Sequence, residues 1–230
     1  MEVPNPNVIR HTERRQPFAA AVGNGERIEQ ISDHIERHIG PVANVFHEIV
    51  SDLVHIDLHV VNPAPERNHY TLITSGMSDL PMAVPETAAD FALAELVIAL
   101  PADWPMDMQQ FEKERHYWPL RWLKMLARMP HEYQTWLCFG HTVPNGDPPQ
   151  PFADNTEMCC MLLGFPLTAP EEFQTLPTDQ GVIRFWGLYP LYESEMEFKL
   201  SRGSEALFDR LDNAGVTELL VVGRENVCEV

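Results

Sequence analysis

From Asn24 onward, Ile28, Ile31, Ile35 and Ile39 recur at steps of three and four, the stripe of one amphipathic helix that Gly40-Pro41 ends. The pattern then changes. Val42 to Val50 reads as a strand, with Ser51-Asp52 as the turn that follows it. Val54, Ile56, Leu58 and Val60 alternate with His55, Asp57 and His59, a period of two that predicts a strand with one apolar and one polar face. Tyr70 to Thr74 predicts a further strand, reached through a polar loop containing Pro63 and Pro65. It runs into Ser75-Gly76-Met77-Ser78-Asp79, where small residues permit a sharp turn. Ala92 to Leu100 is apolar apart from Glu95, and its length and flanks suit a central strand.

Asp107 to Leu126 carries a helical pattern that Pro119 interrupts, so a second helix is expected from Trp118 to Met129 with Pro119 in its first turn. Glu132 to Phe139 reads as a short strand or an entry into the Gly140 loop, and Asn145-Gly146 marks a turn. Met158 to Phe165 and Val182 to Leu188 read as buried strands, Leu191 to Leu200 and Ser204 to Leu211 as helices, and Val216 to Val222 as more strand than helix. This order suits an α+β (mixed α/β) domain with a single central mixed sheet and flanking helices. Residues 1–23, with Pro4, Pro6 and Arg14-Arg15, read as a flexible lead-in to one domain over 24–230.

Composition narrows the classes. No apolar run approaches the ~20 residues that span a bilayer. The first residues lack the basic and apolar regions of a secretory signal. Cys138, Cys159, Cys160 and Cys228 include an adjacent pair inside an apolar run, which suits buried thiols rather than a disulfide framework. A cytoplasmic protein is expected. The formal net charge of -18 repels nucleic acid and anionic membranes, so neither is expected as a partner. The same charge would speed encounter with a basic protein.

Two clusters hold candidate chemistry. His55, Asp57 and His59 share the polar face of their strand, with neighbours about 6.6 Å apart along it. That spacing is wide for three-point ligation, so a hydrogen-bonded ladder is expected and no metal or other cofactor. Ser75, Ser78 and Asp79 can form a backbone nest or cap. His141, Asn145 and Asp147 lie in a polar loop. A triad of Ser78, His141 and Asp57 is the weaker catalytic alternative, since no nucleophile-elbow motif occurs. Walker loops and dinucleotide fingerprints are likewise absent. Tyr117, Trp118, Trp122, Met125 and Met129 read as a core stripe, and Glu193, Glu195, Glu197 and Glu205 as a solvated helix face.

The segment from Val54 to Val60, running on to Tyr70–Met82, resembles the Suppressor of fused family in its bacterial form. Further matches are Tyr117-Trp118-Pro119-Leu120, Leu126–Tyr133, Gly140–Pro148, Leu188–Met196 and Arg224–Cys228. The resemblance implies a mixed sheet flanked by helices and a non-enzymatic protein-binding module. Bacterial members are associated with toxin systems as immunity proteins, so it also implies a protein partner, with a toxin as the specific expectation. The competing reading is a small-molecule or metal-binding enzyme built on His55, Asp57, His59 and His141.

Overall fold

The computed structural model describes residues 8–11, 13–14 and 16–229. The expected lead-in therefore falls partly outside the described residues. Its later part is tied down: the Leu53 amide donates to the Ala19 carbonyl (2.8 Å), the Ala19 amide donates to Asp52 (3.0 Å), and Arg14 pairs with Asp52.

The isoleucine stripe forms α1 (Gly25–His38), capped by the Asn24 side chain, which accepts from the Arg27 amide at 3.2 Å. The sheet follows with β1 (Val42–Phe46), β2 (Asp57–Val61), β3 (His69–Ser75) and β4 (Leu93–Pro101). After α2 (Glu114–Tyr133) come β5 (Thr142–Pro144), β6 (Cys160–Gly164), β7 (Thr175–Thr178) and β8 (Gly181–Leu191). The chain closes with α3 (Glu193–Arg202) and α4 (Ser204–Asn213). The eight strands make one mixed sheet in the order β1-β2-β3-β4-β8-β6-β5, with β7 added on β8. Among these strands only β4 and β8 run parallel.

Alternate residues of the central strands feed different cores, as a pleated sheet covered on both faces requires. Leu58, Val60, Leu72, Leu96 and Ile98 pack with Trp118, Trp122, Leu123 and Leu126 of α2. Val61, Ile73 and Val97 pack with Ile31 and Ile35 of α1. A third cluster joins Leu162, Tyr189 and Leu191 to Leu207 and Leu211 of α4.

Several expectations need correction. The strand expected over Val42–Val50 stops at Phe46; beyond it Ile49 is fully exposed, so no core rewards extension. The strand expected from Val54 begins at Asp57. The two helices expected around Pro119 are one continuous helix. Pro119 offers no N–H to the Arg115 carbonyl, and that carbonyl accepts instead from the Asn155 side chain (3.3 Å). The Val216–Val222 segment makes one parallel bridge, at Leu219, onto Ala99 of β4, just past the point where β8 stops pairing with β4.

Candidate functional site

Three fully buried glutamates organise the loops. Glu95, near the start of β4, accepts from the Thr74 hydroxyl (2.5 Å), the Gly76 and Ser78 amides (3.0 and 2.9 Å) and the Ser78 hydroxyl (2.6 Å). It thereby fixes the 74–78 turn. Gly76 is required there: its φ is +103°, and a Cβ would sit 1.8 Å from the His55 carbonyl oxygen. Burial drives the Glu95 carboxyl up to about 7 despite these donors. Glu195 accepts both Arg224 nitrogens at 2.6 Å together with the Tyr192 and Val227 amides, joining α3 to the last residues of the chain. Glu218 accepts from the Leu167 and Thr168 amides and the Thr168 hydroxyl, fixing the loop after β6.

The candidate residues divide. Asp57 and His55 meet: His55 Nε2 lies 2.9 Å from Asp57 Oδ1. His59 turns away and bonds Ser75 Oγ (3.0 Å), so the expected three-residue ladder splits after its second member. Burial pushes the His59 imidazole down to about 4, so it is held neutral. Ser78 is spent on Glu95, and Asp79 accepts the Asn24 amide at the start of α1 (3.1 Å). Burial raises the Asp79 carboxyl, and its Oδ1 is buried with no hydrogen-bond partner among the described residues. His141 packs edge-on against Trp136 beside β5, at the opposite sheet edge from β1. Neither the His141 pocket nor the Ser78–His141–Asp57 triad is assembled, because these residues lie on opposite ends of the sheet. Asn145 is used in its own turn, bonding the Gln150 and Pro151 carbonyls, and Asp147 pairs at the surface with Arg10.

Sequence reasoning missed His47. Phe46 pairs with Leu58, so continuing that register by one step sets His47 opposite Asp57. Its Nδ1 lies 3.0 Å from Asp57 Oδ2. Ser51 Oγ lies 2.5 Å from His55 Nδ1. Ser51, His55 and Asp57 thus lie in the order of a hydrolase relay. The ring nitrogens are reversed relative to that relay, however, and Ser51 is buried, so its hydroxyl is not offered to a substrate. The adjoining loop is anchored by Glu48, whose carboxylate takes the Arg128 guanidinium at 2.6 Å.

Beside this cluster a groove of about 700 Å³ runs between the edge strand β1 and α2, lined by Phe46, His47, Met108, Phe111, Tyr117 and Lys124. A smaller depression of about 260 Å³ continues along α2 past Arg121, Met125 and Arg128. Arg121 pairs with Glu114 and Arg128 with Glu48. Lys124 is half-buried, and burial lowers its ammonium while Glu48 and Asp57 act on it from a distance. Trp118 and Trp122 are core, as the stripe predicts, whereas Met125 reaches the surface. Of the acidic face expected on α3, Glu193 and Glu197 are exposed but Glu195 is buried in its pair with Arg224.

An eight-stranded mixed sheet with a helix on each face is the architecture of a Suppressor of fused domain. The family model described as Suppressor of fused protein (SUFU) matches residues 52–225, and the chain belongs to that family. A Suppressor of fused homolog from Neisseria gonorrhoeae superposes with a TM-score of 0.65 at 18% identity, covering 90% of this chain and 100% of that one. The Sufu–Fu complex gives 0.62 at 17% identity, covering 87% of this chain and 92% of that chain. Drosophila Suppressor of Fused gives 0.53 at 16%, covering 80% of this chain and 46% of that one. No curated protein matches the chain. Among the described residues no helix is long and apolar enough to cross a membrane.

Proposed function

We propose that this chain is a non-enzymatic protein-binding domain that receives an extended segment of its partner in the groove between β1 and α2. The observation that carries this reading is the pairing of an edge strand with an apolar groove. Among the described strands β1 is hydrogen-bonded to β2 alone, and an added strand gains main-chain hydrogen bonds on its other side while its alternate side chains enter the groove. Tyr117, Met108 and Phe111 supply the aromatic and methionine surface that interface cores favour. Lys124, which forms no ion pair among the described residues, offers a charge to an acidic side chain of the partner. The complex formed by a structural neighbour, Sufu with Fu, supports a protein as the partner class.

The finer reading is an immunity protein that neutralises a toxin. Its support is the family resemblance and the charge of -18, which favours an encounter partner that is cationic overall. The test is co-expression with the product of the neighbouring open reading frame. Restored growth and a stoichiometric complex support the toxin reading. Unrelieved toxicity with no complex refutes it. A complex that survives Lys124→Glu with Tyr117→Ala refutes the groove.

A further inference from the structure

We propose that His47, His55 and Asp57 form a site for a divalent transition metal of the zinc class, with an open coordination position toward the groove. The three ligand atoms lie within 4.8 Å of one another. Two imidazoles from the two ends of the β1–β2 connection converge on the two oxygens of one carboxylate, at 3.0 and 2.9 Å. A tetrahedral ion bound at about 2.0–2.1 Å holds its ligand atoms roughly 3.3 Å apart, so the two histidine–aspartate contacts need to open by a few tenths of an ångström, while the widest separation in the cluster, within 4.8 Å, has to close by rotation of the exposed His47 ring. The spacing argument against His55, Asp57 and His59 is untouched, because the third ligand, His47, comes from just past the end of β1.

The surroundings are those of a metal site rather than of an ordinary ion pair. The Asp57 side chain is 1% exposed, yet among the described residues no lysine or arginine pairs with it; its close polar partners are the two imidazoles and a long contact from the Glu48 amide (3.4 Å). A buried carboxylate without a close cation is costly, and a bound divalent ion removes that cost. Ser51 Oγ fixes the far nitrogen of His55, the outer-sphere bond that orients a ligating imidazole. Nearby, Asp79 keeps an unpartnered buried oxygen, close enough that the charges of His55 and Asp57 act on it. His47 is two-thirds exposed and also lines the groove, so the fourth position faces an incoming ligand. Three protein ligands with one open position are the arrangement of an accessible zinc rather than a closed structural one.

The test is zinc titration of the chelator-treated full chain by calorimetry, with cobalt absorption as the report on coordination geometry. One equivalent of zinc and a tetrahedral cobalt spectrum are expected. His47→Ala, at an exposed position and with an unchanged circular dichroism spectrum as the check on folding, should abolish both, and Ser51→Ala should weaken zinc by about 10–100-fold. His38→Ala, on α1, should change neither. Absence of stoichiometric zinc, or zinc and cobalt signals undiminished in His47→Ala, overturns the proposal.

Discussion

Replacing Glu95 with glutamine tests the buried-carboxylate account most sharply, because its effect must change with pH. The carboxyl moves from its ordinary 4.5 up to about 7 on folding. Between those values the folded chain binds a proton that the unfolded chain has released, so stability falls as pH rises through that window. The shift of about 2.5 units corresponds to roughly 3 kcal/mol. The side chain of Glu95→Gln has no such proton. It keeps three of the four bonds at its carbonyl oxygen, but its amide faces the Thr74 hydroxyl, which already accepts from the Leu96 amide (2.8 Å). One buried proton is then left without an acceptor, at about 1–3 kcal/mol, as one also is beside the protonated carboxyl of the wild type. The two proteins should therefore differ least near pH 4.5. By pH 8 the difference should move about 3 kcal/mol in the variant's favour. Urea unfolding followed by circular dichroism at both pH values measures this directly. A difference that stays constant, or moves in the wild type's favour as pH rises, refutes the claim that burial outweighs the four donors.

Other outcomes follow from the same geometry. His59 is held neutral, with its imidazole pushed down to about 4, so its contribution is fully present above pH 6.5 and is lost as pH falls toward 4. His59→Gln should flatten the acid limb of the stability curve by about 3 kcal/mol, and an unchanged limb would place the acid sensitivity elsewhere. Arg224→Ala leaves the Glu195 carboxylate buried without its cation and should cost about 3–5 kcal/mol in urea unfolding; a cost below about 1 kcal/mol would mean water reaches Glu195. Gly76→Ala forces a Cβ into the His55 carbonyl and should prevent folding at 37 °C, whereas a soluble variant with a native thermal midpoint would contradict the local geometry.

The strands with a clean period of two or an unbroken apolar run were legible: β2, β3, β4, β6 and β8 all lie where the sequence places them, give or take their ends. The failures have physical causes. Pro119 reads as a boundary locally, and only the distant Asn155, which takes the freed carbonyl, lets the helix run through it. β7 is short and half-exposed, held by its pairing with β8, so its sequence carries no apolar period to find. His47 joins the polar cluster through the β1–β2 register, which a one-dimensional pattern does not encode. Glu95 and Glu218 did leave a signal: each is a lone acid inside an apolar run. Such an acid must find donors when buried, and the nearest donors here are the amides and hydroxyls of an adjacent turn or loop. The groove was not legible, because its walls come from β1, the segment before α2, and α2 itself.

Protein binding at the β1 groove is the central claim, and site-specific photo-crosslinking in the native cell tests it most directly. A photoreactive residue in place of the exposed Met108 should give one discrete adduct with a second protein, and Lys124→Glu should remove that adduct. No adduct from Met108, alongside a discrete one from Asp209 on α4, would contradict the account.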